Sequence, residues 1–227
     1  MSAPGSNRVK NRTKLAVFLF GLCSAMPIAH ADDGVSALED ALDLCLQLPS
    51  DQGAITTRLE DGGWKKTPED DDGATAFHIL YSTIFTSRHR PDDMDYTYRN
   101  SAFMAASILG NSALQPGQPT FTHGELKLGV FGVREGTGYC ALTGPKWAAS
   151  VIEDRLGITL GQTLPYLRSY EHEAGSHTIG VGEIDIEALH RVDTDLPEEQ
   201  LGKYREFDRI ALGETSLTIT PQTGETK

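Results

Sequence analysis

Residues 125–144 read ELKLGVFGVREGTGYCALTG. Leu126, Leu128 and Val130 alternate with Lys127 and Gly129, the period of two that sends successive side chains to opposite faces of a sheet. A second extended run, through Tyr139, Cys140, Ala141 and Leu142, follows a glycine turn. Two such runs around glycine make a β-hairpin, and a hairpin makes the sheet antiparallel. The fragment GTGYCA also satisfies G-x-G-x-x-A at Gly136, Gly138 and Ala141. A dinucleotide fingerprint needs a helix opening inside it. Here strand-like residues follow at once, so the glycines belong to a turn.

Upstream of this hairpin the periodicity is helical. In VSALEDALDLCLQL, residues 35–48, Leu38, Leu42, Cys45 and Leu48 recur at spacings of four and three, and Pro49 ends the run. SDQGAITTRLEDGG predicts a shorter helix capped by Ser50, and WKK a brief extended piece. The acidic loop TPEDDDGA fails as a calcium loop. Aligning Gly73 with the required glycine puts Pro68 first and Ile79 twelfth, where a carboxylate ligand and a bidentate Glu are needed. Asp72 instead suits a helix cap. ATAFHILYSTIFTSRHR, residues 74–90, reads as a helix on its length, RPDDMDY as a loop, and RNSAFMAASILGN as a second buried helix.

Downstream, GPKWAASVIEDRLG predicts a helix opened by Pro145, lined by Trp147, Val151, Ile152 and Leu156, and closed by Gly157. TLPYLRSYEHEAGSHTIGVGEIDIEAL reads as two strands around AGS, LPEEQLGKY as a short polar helix or turn, and REFDRIALGETSLTIT as a last pair of strands about GET. Helices early and strands late predict an α+β fold. The expectation is an antiparallel sheet built mainly from the C-terminal half, covered on one face by helices mainly from the N-terminal half.

The N-terminus reads as a processing segment. Arg8, Lys10, Arg12 and Lys14 precede the apolar run LAVFLFGLCSAMPIA, and Ala29-His30-Ala31 supplies a small-x-small cleavage pattern. The apolar run falls short of the roughly 20 residues of a membrane span. A lipid anchor at Cys23 is disfavoured by Leu22, where a small residue is expected. Cleavage after Ala31 would leave a single domain over 32–220 and a disordered tail over 221–227, in the periplasm or outside the cell. The first 31 residues hold four basic and no acidic residues, so their removal takes the formal charge from −12 to −16. Such a surface repels nucleic acid and anionic lipid headgroups. The expected partner is an unidentified protein or small molecule, with no nucleic acid and no stable membrane insertion. Two cysteines remain, and in an oxidising compartment Cys45 and Cys140 are expected to form a disulfide.

Catalytic signatures are missing: there is no P-loop, no G-x-S-x-G, no H-E-x-x-H and no C-x-x-C. No cofactor is implied. The densest polar stretch is SYEHEAGSHTIGVGEID, residues 169–185. On a helix His172 and His177 would point to different faces. On a hairpin turning at Ala174-Gly175 they would lie opposite one another, with Tyr170 facing Ile179 and Tyr166 facing Glu183. A three-residue turn would pair Glu173 with His177 instead. His172 and His177 are therefore the candidate metal ligands, and a third would have to come from His78, His89, His123 or His190. Glu183, Tyr166 and Tyr170 are the candidate acid–base or contact residues. The expected function is an exported, non-catalytic binding or interaction protein. The alternative is a periplasmic hydrolase or metal-binding protein that uses the His172/His177 hairpin.

Overall fold

The hairpin over 125–144 forms as read. In the computed structural model, β3 (Leu126–Arg134) pairs antiparallel with β4 (Thr137–Gly144), Val130 opposite Cys140 and Leu128 opposite Leu142. The structure describes residues 29–49, 51–90, 92–110, 119–134, 137–175, 177–192 and 195–221. Residues 1–28 of the expected signal segment 1–31, the expected Ser50 cap and residues 222–227 of the expected tail 221–227 lie outside them.

Among the described residues, four helices and two short strands precede the hairpin: α1 (Ala29–Leu46), α2 (Gln52–Asp61), β1 (Lys65–Lys66), α3 (Glu69–Ser87), α4 (Met94–Gly110) and β2 (Thr120–His123). After it come α5 (Trp147–Leu156), β5 (Gly161–Leu164), β6 (Leu167–Ala174), β7 (His177–Ile184), α6 (Ile186–Leu189), α7 (Glu198–Ala211) and β8 (Thr215–Pro221). The eight strands form one antiparallel sheet in the order β1-β2-β3-β4-β8-β7-β6-β5. It consists of two meanders joined by the last strand: β8 pairs with β4 on one side and β7 on the other.

Alternation along the strands sorts side chains to two faces, and helices cover both rather than one. Leu128, Val130, Cys140, Leu142, Ile179, Val181, Leu217 and Ile219 pack against Leu38, Leu42 and Cys45 of α1 and Ala148, Ala149 and Ile152 of α5. Phe131, Ala141, Leu167 and Ile184 face the opposite way, onto Ile79, Leu80 and Phe85 of α3, with Tyr98 of α4 and Ala211 of α7 behind them. The strands are apolar on both sides, so one layer of helices would have left one side wet.

Cys45 and Cys140 form a disulfide, with Cα atoms 5.7 Å apart and 95 residues of sequence separation. It ties α1 to β4 on the first face. Closing a loop of that length is worth about 4–5 kcal/mol in the loop-entropy account.

Several local expectations change. Asp51 caps α2, its side chain accepting from the Ala54 amide at 2.8 Å. α3 starts after Pro68, so Asp72 lies in its first turn and accepts from the Thr120 amide (2.7 Å) and hydroxyl (2.6 Å), fastening the helix to β2. α4 begins at Met94 because Asp93 accepts from the Tyr96 amide at 2.9 Å. Trp147 does not line the core; it is 40% exposed and lies over Gly34.

The largest difference is at 198–211. The short polar helix or turn and the strand expected there are one continuous helix, α7. Leu201, Tyr204, Phe207, Asp208 and Ala211 sit on its inward face at spacings of three and four. Aspartate occupies a core position in that stripe, which hides the helical period from a count of apolar residues.

Candidate functional site

The sequence IGVG at 179–182 does two things. Ile179 and Val181 fill the disulfide-bonded core, while Gly180 and Gly182 present no side chain to α3. A Cβ on Gly182 would stand 2.7 Å from Thr86 Cβ, and one on Gly180 would stand 2.7 Å from Thr218 Oγ1. The bare floor lets the last turns of α3 settle close to the sheet, where the Thr86 and Ser216 hydroxyls meet at 2.6 Å.

Beside this contact a cavity of about 320 Å³ opens between the C-terminal end of α3 and strands β6, β7 and β8. Its walls are rich in hydroxyls, among them Thr83, Ser87, Thr163, Ser169, Thr178 and Thr218. Among the described residues Glu171 is its one acidic side chain, and Leu164 and Leu167 supply apolar wall. Hydroxyls both donate and accept, so the lining can match a polar ligand without a fixed charge.

His89 closes one end. Its Nε2 lies 2.6 Å from the Tyr166 hydroxyl, and its ring packs against Phe85 and Tyr166. Nδ1 is buried and has no hydrogen-bond partner among the described residues. Burial pushes the imidazole down to about 4 and the Tyr166 phenol up to about 12, so both are neutral at pH 7. A buried nitrogen without a hydrogen bond costs free energy.

The hairpin carrying the two histidines forms, but in another register. Its ladder closes on Ala174 opposite His177, with Gly175 at φ +63°. His172 therefore pairs with Ile179, Tyr170 with Val181, and Glu183 with Arg168 rather than Tyr166. The shift is two residues, so His172 and His177 share a face as diagonal neighbours instead of directly opposed ones. That face is the one turned away from the cleft. Among the described residues, no three His, Cys, Asp or Glu side chains are grouped to hold a metal ion. The other histidines lie in separate surroundings: His78 against Lys127, His123 against Trp64 and His190 against Asp208.

Of the candidate contact residues, Tyr170 borders the cleft from β6 while its ring packs on the disulfide-bonded core, and Tyr166 reaches the cleft through His89. Glu183 is engaged elsewhere. Arg168 bridges it at 2.6 Å and Glu153 at 2.9 Å, joining β6, β7 and α5. His89 was legible only as one of several possible ligands.

Asp208 escaped the sequence reading. It is fully buried and accepts from Tyr98 at 2.8 Å, Tyr81 at 3.2 Å and His190 at 3.2 Å. Burial raises its carboxyl above the ordinary value, while the hydrogen bonds from Tyr98 and His190 pull it back. The cluster joins α3, α4 and α7 beneath the surface.

No family model matches the chain, and no curated protein or solved structure is significantly similar to it.

Proposed function

We propose that the chain is an exported, non-catalytic binding protein of the cell envelope. Its ligand site is the hydroxyl-lined cleft at the end of α3. The observation that carries this reading is a formed, hydroxyl-lined cavity with the His89–Tyr166 pair at its end. Small-molecule sites are concave, with a few polar groups that fix orientation. Export is supported by the basic, apolar and small-x-small order of the first 31 residues. The Cys45–Cys140 disulfide agrees with an oxidising compartment. Among the described residues no helix is long and apolar enough to cross a membrane.

The ligand is small, polar and neutral or cationic. Glu171 is the one formally charged side chain of the lining, and the protein as a whole is strongly acidic, so anions are disfavoured. Calorimetry of the mature chain against neutral saccharides, polyols, short amines and matched carboxylates tests this. Binding should appear among the first three groups and vanish in Ser169→Phe, which fills the cleft from β6. Absence of binding across the panel, or binding that survives Ser169→Phe, would remove the reading.

A further inference from the structure

A second cleft flanks α3 where it crosses β3. β3 turns Leu126 and Leu128 into the disulfide-bonded core, so Lys127 points to the α3 side. There its Nζ lies 3.1 Å from Nδ1 of His78. Both line a cavity of about 530 Å³ whose far wall is the end of α7 and the turn leading into β8. In a protein with a large acidic excess, a half-buried lysine would ordinarily find a carboxylate. Among the described residues Lys127 has none within ion-pair distance. Glu125, Glu187, Glu214 and Arg209 also line the cavity, and Glu214 accepts from the Lys146 amide.

An ammonium is strongly hydrated and keeps its charge poorly when half buried without an anion. Burial holds Lys127 below its ordinary value, and burial together with Lys127 holds His78 below its own. The free amine is the nucleophilic form, and a desolvated lysine in a cleft is how an amine is made reactive near neutrality.

We propose that Lys127 is a carbonyl-reactive amine, taking small aldehydes into the cleft as a reversible imine with His78 as its proton acceptor. The Nζ lone pair attacks the carbonyl carbon and the C=O π pair moves to oxygen. His78 Nδ1 relays one proton from the attacking nitrogen to the alkoxide, giving the carbinolamine, and then relays the remaining N–H proton to its hydroxyl. That hydroxyl leaves as water while the C=N bond forms. No oxidant or reductant is needed, and hydrolysis reverses every step. The site is separate from the cleft at the end of α3 and does not depend on it.

The test uses the mature chain with limiting benzaldehyde near neutral pH. Cyanoborohydride traps any imine by placing hydride on its carbon, giving a stable benzylamine that peptide mass spectrometry can locate. Most of the label should fall on Lys127, and Lys127→Arg should lose that share with the remaining lysines unchanged. His78→Leu should slow labelling at Lys127 and move its pH profile, which a purely structural role would not do. Ser169→Phe should leave it untouched, which separates this site from the other cleft. Label spread according to exposure, over Lys65, Lys66, Lys146 and Lys203 with little on Lys127, would overturn the proposal. So would a Lys127 rate insensitive to His78. The mapping on the unaltered chain decides even if Lys127→Arg fails to fold.

Discussion

The two faces of the sheet are built from the same strands and yet differ in kind. The α1/α5 face is a continuous apolar core of leucine, isoleucine, valine and alanine closed by a disulfide. The α3 face is aromatic and mixed. It buries Asp208, Ser82, Thr83 and Thr86, and it flanks α3 with two clefts. Ser82 hydrogen-bonds to the Ala211 carbonyl, and Thr83 to carbonyls within its own helix, so these polar groups are satisfied. The difference teaches a division of labour. One face carries the stability, and the other spends some of it on polar groups that can meet a ligand.

Removing the staple should produce the largest effect. Cys45→Ser with Cys140→Ser should cost about 4–5 kcal/mol in denaturant unfolding, in line with the loop it closes. A loss no larger than that of a single surface substitution would break the comparison at its first term.

The α3 face should instead hold the pH response. Folding lowers His89 from 6.5 to about 4, so its contribution is present above pH 6.5 and lost as pH falls toward 4. The loss should approach about 3 kcal/mol and disappear in His89→Gln, measured as urea midpoints across that range. Asp208 has the opposite sign. Folding raises it, so its contribution is full below the unfolded value of 3.8 and declines as pH rises through the folded value. Asp208→Asn, neutral throughout, should flatten that decline. A wild-type slope retained in both variants would place the titrating groups elsewhere.

Tyr98→Phe deletes one hydrogen bond to that carboxylate, at a cost of about 1.5–3 kcal/mol. The smallest effect belongs to the hairpin tip. His172 is exposed, and His172→Ala should change stability by about 0.5 kcal/mol or less. Zinc calorimetry on the unaltered chain should give no tight stoichiometric binding. Sub-micromolar binding abolished by His172→Ala would make the tip a site after all.

The sequence was legible where one period dominated. Leu126, Leu128 and Val130 announced a strand, and Leu38, Leu42 and Cys45 announced a helix face. The pairing of Cys45 with Cys140 followed from counting. It was misleading where a polar residue holds a core position, as Asp208 does in α7. The hairpin register slipped by two because a glycine with positive φ can open a tight turn as well as close it. The clefts were illegible for a different reason. His89, Ser169, Thr178 and Thr218 come from four segments, and Lys127 and His78 from two more. Only packing brings them together.

The placement of β8 bears on when this molecule can exist. Until residues 215–221 are available, β4 and β7 each present an open row of amides and carbonyls, and the sheet is two halves. Both cysteines lie far upstream of β8, so the staple can close before the sheet does. Residues 215–221 follow the other described strands in chain order, so a chain growing from its N-terminus cannot join the two halves until β8 has been made. Until then the open edges of β4 and β7 are templates for pairing with another chain. The seam in the middle of the sheet therefore works as a timer, deferring the native state to the moment the last strand arrives.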